Sequence, residues 1–532
     1  MASGVGRSML RLTPDVLSGI VKPAVSHNFS KSLGQRPKRV EMGRAITMSE
    51  LPQRKRQHGE FAEDKPKKSV SMQDVPDRSI LQQYLDNLYT PEGHLRKSKY
   101  LYECFPAGAW KGKQCFIIGG GTSLRGFDFS KLNGELVITV NRGFEYFPSA
   151  INLCQDARVF GYYENKEFKE GDEARKRFYD YKGFKTWLNV QAFPFPEDIY
   201  QLGICHPSDF NYKNFSGGIP PYNNSGVNAL CLAVCLGANP IYLLGFDCKG
   251  ENGRTANFHS GYMDSNKEEV YQDFIRDFNH VANDIKTLTK VINLNPNSGL
   301  RCFDFGDINE IKKAKRPILV SFFTKGTGYE LEIHRLERSA VRFGFEYDFY
   351  AQEDLGSWRA NIHDRIRILK HFLDKYPTRD ILYVDADGEI QQYPELFDNF
   401  DADFGITKID RSHYWKDWKE YHHEQFEYLG GTMYFANNQR VRRFLDLWDR
   451  LDAPMDTKLS QHTLINAIRQ SEYLNIKLLP LTYCQIFDTM ADEGNPVVEH
   501  FQASRRSILY VKIKEDGSKY LDFGNALNKE NK

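Results

Sequence analysis

No run of 18 or more apolar residues occurs in the 532-residue chain, so no segment is long enough to cross a bilayer as a helix. Excess charge of one sign is also missing. The 71 Lys and Arg balance 70 Asp and Glu, and a net charge of +1 excludes the chain as a whole as a general polyanion binder. Cysteines are few: nine, an odd number, with no repeated close spacing. The nearest pair, Cys231 and Cys235, falls in the apolar stretch ALCLAVCLG and reads as core. Free thiols in a reducing cytoplasm are therefore expected. The opening MASGVGRSMLRLTPDVLSGIV lacks the continuous apolar segment of a secretory leader, and a cytoplasmic location follows. The glycine run at 119–121 has neither the G-x-G-x-x-G spacing of a dinucleotide fold nor a lysine in P-loop spacing. NAD and Walker-type ATP binding are disfavoured on that ground.

What is present is length for two or three domains and an apolar content of 41%, enough for sizeable cores. Residues 1–75 stand apart, with 14 Lys and Arg against 7 Asp and Glu and few aromatics. A disordered basic tail is expected there. Ile80, Tyr84 and Leu88 at i+4 predict a short helix over Val75–Tyr89. From Lys111 strands and helices alternate. QCFIIGGG, LVITVNR, PIYLLGFD and KVINLNP read as strands, and SGVNALCLAVCLGA as a buried helix closed by Gly237. NKEEVYQDFIRDFNHVANDIKTL carries Val270, Phe274, Phe278, Val281 and Ile285 on one helical face. A second α/β series follows the basic break INEIKKAKRP: ILVSFFT and DILYVD as strands, and YELEIHRLERSAVRFG, NIHDRIRILKHFLDKYP and YFANNQRVRRFLDLWDRL as helices. The expected fold class is α/β, two Rossmann-like doubly wound domains in tandem at 76–307 and 316–510, with a C-terminal tail at 511–532.

The stretch RDILYVDADGEI (379–390) ends a strand on Asp385 and Asp387. In an open α/β sheet, ligands bind in the crevice outside the carboxyl ends of the strands. Two carboxylates there repel each other and lose hydration unless a cation lies between them. Mg²⁺ or Mn²⁺ accepts carboxylate oxygens and keeps positions free for phosphate. Such an ion would neutralise the charge of a departing nucleoside diphosphate. A second Asp-x-Asp, Asp401 and Asp403, precedes its strand (DADFGIT) and reads as a turn and solvated cap.

The first half has its own strand-end cluster. In FIIGGGTSL the backbone at Gly119 and Gly121 can approach a phosphate closely, and Ser123 adds a hydroxyl. Asn141 ends the next strand; Asn224, Ser225 and Gly226 open a helix; Asp247 follows another strand. His259 lies in the polar loop FHSGY, and Asn295 and Ser298 follow the last strand. Polar groups at four strand ends facing one crevice point to a nucleotide pocket.

Over about 316–506 these motifs, in this order, resemble nucleotide-diphospho-sugar glycosyltransferases of the GT-A fold. The resemblance implies that VSFFTKGTGYE is the first strand and nucleotide loop, with Tyr329 stacking on the base. It places Arg359 and Lys370, in WRANIHDRIRILKHFL, against phosphate or ribose. LYVDADGEI becomes the metal motif, and YLGGTMYFANN the acceptor-side strand with Gly430, Gly431 and Thr432 at its turn. SQHTLINAI resembles a helix start that usually carries Asp-Gln; here Ser460 replaces the acid, Gln461 remains as the catalytic-site residue, and Asp456 is a candidate substitute. PVVEHFQASRR supplies His500 as third metal ligand, with Arg505 and Arg506 near the diphosphate.

Over about 110–305 the sequence resembles bacterial CMP-sugar sialyltransferases (family 42) and the related domain-of-unknown-function 115 (MptE-like) proteins. GGGTSL is similar to a G-x-G-P-S-L loop with Thr122 in place of proline. The segment NSGVNALCLAVCLGANPIYLLGFD is close to that family's S-G helix and following strand. His259 falls where those enzymes carry a histidine general base. They need no metal, whereas MptE-like members transfer diphosphate. The tandem is similar to phage-encoded proteins. The resemblances imply a two-domain glycosyltransferase using a nucleotide-sugar and Mn²⁺ or Mg²⁺. Its acceptor is left open among a glycan, a lipid head and a modified nucleobase. A DNA-base glycosyltransferase and a non-catalytic nucleotide-fold binding protein remain as alternatives. Donor base, sugar, stereochemistry and oligomeric state are not given by the residues.

Overall fold

Parallel strands covered on both faces need unbroken apolar runs, and the first half supplies them as β1 (Cys115–Ile118), β2 (Leu136–Val140), β3 (Ile151–Cys154), β4 (Phe184–Leu188), β5 (Tyr200–Leu202), β6 (Ile241–Leu244), β7 (Val291–Asn293) and β8 (Asp304–Phe305). The computed structural model describes residues 100–190, 195–196, 198–259, 266–356, 358–414, 425–453, 460–487, 489–502, 510–513 and 519–522. The predicted tail at 1–75 and helix at Val75–Tyr89 lie outside these residues. All eight strands are parallel, in the order β5-β4-β3-β2-β1-β6-β7-β8. The chain therefore runs outward from β1 to β5, then returns to lay β6 on the other side of β1. That reversal makes a switch point where the loops after β1 and β6 part. The linking helices are α1 (Ala157–Glu164), α2 (Asp172–Asp180), α3 (Ser225–Cys235) and α4 (Val270–Leu288). Gly226 through Cys235 are all buried, so α3 is a core helix, and the Asn224 side chain caps it by accepting from Val227 N–H. Strand β4 is not evident in the sequence because FKTWL contains a lysine; Lys185 is buried and pairs with Asp198 at 2.9 Å.

The second half forms β9 (Ile318–Thr324), α5 (Tyr329–Arg342), β10 (Tyr347–Gln352), α6 (Trp358–His363), α7 (Arg365–Lys375), β11 (Ile381–Val384), β12 (Gly388–Ile390), β13 (Phe404–Asp410), β14 (Phe426–Phe435), α8 (Gln439–Asp452), α9 (Ser460–Arg469), β15 (Ile476–Leu479), β16 (Gln485–Ile486) and β17 (Val498–His500). The main sheet runs β10-β9-β11-β14-β13-β15, with β14 antiparallel to both neighbours. Its switch point falls between β9 and β11, which places the loops bearing Tyr329 and Asp385 side by side. Strands β12, β17 and β16 make a separate small sheet. Beyond it, Tyr510–Ile513 pairs antiparallel with Lys519–Asp522. Two Rossmann-like α/β sheets thus follow each other along the chain.

Three expectations change. The stretch NIHDRIRILKHFLDKYP is two helices separated at Asp364, not one. Gly430, Gly431 and Thr432 are not at a turn but inside β14, where pairing with β13 slips between Ile406 and Thr407 and the three residues bulge. Asp403 is not a solvated cap. It is 3% exposed, accepts two hydrogen bonds of 2.7 Å from Arg440 and further ones from Asn438 Nδ2 and Asn475 N–H. Those donors, Arg440 first, hold its pKa down to about 2. A carboxyl with a depressed folded pKa stabilises above its unfolded value and loses that contribution as pH falls through the folded one. Asp403→Asn should therefore destabilise by roughly 1–2 kcal/mol at pH 7, allowing for the half-exposed Arg440. The gap to wild type in urea midpoints should close between about pH 4 and pH 2. A gap unchanged by pH would refute this account.

All described residues belong to one unit, Arg54–Lys532. A continuous apolar cluster joins the two halves, with Leu101, Trp110 and Leu136 from the first and Leu336, Phe343 and Leu382 from the second. Polar contacts reinforce it. Trp110 Nε1 donates to Arg342 O at 2.9 Å, and Arg316 donates to Gly134 O and Phe343 O while its guanidinium lies 4.0 Å from the Phe345 ring centre.

Candidate functional site

β11 is buried throughout and ends at Val384; the chain then turns through Asp385-Ala386-Asp387, closed by Gly388 N–H to Asp385 O at 2.8 Å. It re-enters as β12, whose antiparallel pairing with β17 sets Gly388 opposite His500. That pairing carries a histidine from far downstream to the side of Asp387. The bulge of β14 closes the third side, with Asp385 N–H donating to Gly431 O at 2.8 Å. One ligand atom from each of Asp385, Asp387 and His500 lies within 4.8 Å of the others.

His500 Nδ1 is 3.9 Å from Asp387 Oδ1, while Nε2 is 2.8 Å from Thr432 Oγ1. Thr432 is fully buried, so with the proton on Nε2 the ring is held and the Nδ1 lone pair faces Asp387. The bulge glycines permit this approach. A Cβ on Gly431 would sit 2.9 Å from His500 Cε1 and 3.1 Å from Nδ1; one on Gly430 would sit 2.9 Å from Arg365 Nη1. Gly431→Ala should push the imidazole out of line and weaken Mn²⁺ binding by about 10–100-fold, as for other disturbed supports of a ligand. Titration followed by electron paramagnetic resonance reads this directly, and wild-type affinity in the variant would contradict it.

Burial pushes Asp385 above the usual carboxylate range; Arg365 pulls it back, Asp387 adds to the rise and His500 opposes it. Burial works against a charged His500, yet Cys484, Asp387 and Asp385 together raise it well above the ordinary histidine value. Two acidic oxygens and one imidazole suit a Mn²⁺- or Mg²⁺-type cation, whose charge would favour both carboxylates. The donor set fits the ion expected from the sequence.

Arg365 is the residue that sequence reading missed. Its Nη2 is 3.8 Å from Asp385 Oδ1, its Nη1 donates to Gly430 O at 3.3 Å, and its buried Nε has no hydrogen-bond partner among the described residues. The signal was available: Arg365 lies three residues after Ile362 and four before Leu369, on the apolar stripe itself. Lys370, expected near phosphate, instead turns to Asp446 and Asp449, both at 2.8 Å. Tyr383, inside β11, donates to Asp385 Oδ1 at 2.6 Å. Tyr329 begins α5 and contributes to the electrostatic surroundings of Arg365. Arg359 lies on α6 and Ser460 and Gln461 on α9, but their side chains fall outside the described residues, as do Asp456, Arg505 and Arg506.

In the first half the strand ends do gather. Asp247 accepts from Ser123 N–H at 2.8 Å, Ser123 Oγ at 2.5 Å and Asn295 Nδ2 at 2.7 Å; Ser298 Oγ donates to Phe246 O at 2.6 Å. Gly119 and Gly121 donate to Leu244 O and Gly245 O. The donors expected to face a phosphate are thus engaged by the protein. A Cβ on Gly121 would strike the Asp247 carboxyl at 2.5 Å, which explains the glycine by packing. Ser225 Oγ donates to Asn141 Oδ1 at 3.3 Å, Asn141 takes a left-handed φ of 55°, and Gly226 packs on Phe246. His259 stacks on Tyr146 with ring centres 5.5 Å apart. Burial, then Arg142, lowers its pKa to about 4, so it is neutral at pH 7.

In the second half the acidic turn closes β11 of a mixed α/β sheet, beside the antiparallel strand β14. No family model matches the sequence, and no curated protein matches it. Several solved structures are similar to part of the chain. A glycosyltransferase involved in glycosylation of the major capsid of PBCV-1 is 14% identical, over 36% of this chain and 96% of its own, with a TM-score of 0.28. Mouse xyloside xylosyltransferase 1, apo form, is 12% identical over 35% of this chain and 97% of its own, with a TM-score of 0.22. The MAf glycosyltransferase from Magnetospirillum magneticum AMB-1 is 11% identical over 56% of this chain, which spans 48% of that protein, with a TM-score of 0.29. Among the described residues no helix is long and apolar enough to cross a membrane.

Proposed function

We propose that the second half binds a nucleotide-diphospho-sugar with Mn²⁺ or Mg²⁺ and transfers the sugar to an acceptor hydroxyl. The carrying observation is the meeting of Asp385, Asp387 and His500 at the carboxyl end of β11, beside the switch point. These three residues would hold the ion. When bound, it supplies positive charge to a diphosphate leaving group. Arg365, with unpartnered Nε and its Nη2 toward Asp385, adds a fixed cation on the same wall. Tyr329, the first residue of α5 after β9, is assigned to the nucleotide base, and Thr432 keeps His500 oriented. Arg359 and Gln461 are assigned to donor and reaction centre by the motif resemblance alone.

For the first half, one reading is a second nucleotide pocket at the β1–β6 switch, lined by Gly119, Gly121, Ser123, Asn141, Ser225, Gly226, Asn295 and Ser298, with neutral His259 as base. The engagement of Ser123 by Asp247, and of the Gly119 and Gly121 N–H groups by Leu244 O and Gly245 O, favours a second reading, a non-catalytic nucleotide-type fold that supports its neighbour. Calorimetric titration of the full chain with UDP-, GDP- and CMP-sugars, with and without Mn²⁺, tests both. Metal-dependent binding of a diphospho-sugar is expected. Binding that ignores Mn²⁺, or none, would remove the proposal; CMP-sugar binding without metal would restore the pocket in the first half. Intact-mass analysis of glycans, lipids and nucleosides from producing cells identifies the acceptor class.

A further inference from the structure

Helix α5 carries Glu332, Arg335, Ser339 and Arg342 at helical spacing, so the four share one face. That face receives β12, the edge strand of the small sheet. Ser339 is fully buried, and its Oγ accepts from Ile390 N–H at 3.0 Å, which satisfies a backbone donor of that edge. Glu389, the residue before, is approached by two arginines: Arg335 Nε lies 3.9 Å and Arg342 Nη2 3.7 Å from its carboxylate oxygens. Arg335 also pairs with Glu332 at 3.0 Å, and its guanidinium lies 4.3 Å from the centre of the Phe501 ring. An arginine only 8% exposed, with acids on one side and an aromatic face on the other, is held in one place.

These contacts reach both arms of the acidic site. Glu389 comes two residues after Asp387, and Phe501 directly follows His500. Phe501 N–H donates to Asp387 O at 3.1 Å, tying one arm to the other. No short hairpin turn joins β12 to β17, so their register has to come from contacts elsewhere in the fold. The pairing also carries a cost, because it sets Glu389 opposite Glu499, and like charges across a strand pair repel. Arg335 attracts both of these carboxylates. Gln391 Nε2 adds a hydrogen bond of 2.9 Å to Glu499.

We propose that Arg335 is a positioning residue for the cation site: by holding Glu389 and Phe501 against α5, it keeps β12 and β17 in the register that brings Asp387 and His500 to one ion. The inference rests on the second half binding Mn²⁺ or Mg²⁺ at these residues. Arg335 acts through its neighbours, and the sign of its effect separates positioning from charge. Deleting a positive side chain near a cation site favours the bound cation by simple electrostatics. Loss of register does the reverse.

The test uses the full chain with Mn²⁺ alone, titrated by electron paramagnetic resonance, together with amide hydrogen exchange of the metal-free protein. Arg335→Met keeps an apolar stem against Phe501 and deletes the charge. Its Mn²⁺ affinity should fall about 10–100-fold, and the amides of β12 and β17 should exchange faster. Arg335→Lys, which keeps the charge without the planar fork, should recover part of the loss. The double variant Arg335→Met with Glu389→Gln leaves no unpaired carboxylate behind and no net change of charge, which protects the fold. Its Mn²⁺ affinity should fall as well. Affinity at or above wild type in Arg335→Met or in the double variant overturns the positioning role and leaves the cation site standing. Unchanged exchange in β12 and β17 overturns it too. A wild type that binds no Mn²⁺ overturns the cation site and the positioning role together.

Discussion

Asp387→Asn abolishes Mn²⁺-dependent binding of a nucleotide-sugar and lowers its turnover about 10³-fold, the loss expected when a metal's several kcal/mol of charge stabilisation disappears. Asp387 is the more informative of the two carboxylates because it is 8% exposed and fixed by its surroundings, with its carbonyl accepting from Phe501 N–H. Asparagine fills the same space, so the fold should survive. It also removes a negative charge that raises Asp385 in the metal-free protein. The melting temperature without metal should therefore equal or exceed wild type, while the rise caused by millimolar Mn²⁺ vanishes. Calorimetric Mn²⁺ titration and paired melting curves decide the matter. A variant that binds Mn²⁺ as tightly as wild type would show that the three groups share no ion.

The second large effect comes from cutting the chain near residue 310. A fragment of residues 310–532 should be insoluble or molten. Its helix α5 buries Ile333, Leu336 and Ala340 in the cluster that the first half completes. Removal would also strip the partners of Arg316, whose donor reaches Gly134 O, and of Arg338, which donates to Lys182 O and Tyr200 Oη with its guanidinium 3.9 Å from the Phe184 ring centre. Exposed apolar area of this kind drives association. Within the whole chain, Trp110→Ala should cost about 3–5 kcal/mol, the range for a buried tryptophan. A soluble fragment with a sharp unfolding transition would refute the expectation, and would make the halves independent domains.

Much of this was legible in the residues. Strands β1, β2, β6, β7, β9 and β11 announced themselves as apolar runs, and the turn after Val384 displayed its carboxylates openly. Less legible was anything that depended on partners distant in sequence. Asp403 looked like a surface cap because it precedes its strand instead of ending one. Only the fold brings Arg440, Asn438 and Asn475 to it. Gly430 and Gly431 were placed at a turn by the motif resemblance, but here they make room for an imidazole and a guanidinium. Ser123 looked like a phosphate ligand because nothing in its own segment shows that Asp247 will occupy it. Arg365 was passed over because nothing in its own segment shows that the fold will bring Asp385 to within 3.8 Å of it.

The small sheet has a consequence for biosynthesis. Because β17 contributes His500 by pairing with β12, a growing polypeptide that has already produced both aspartates still lacks a complete cage until that late strand docks. An ion taken up by the proposed site would therefore meet all three donors only after this late strand has docked.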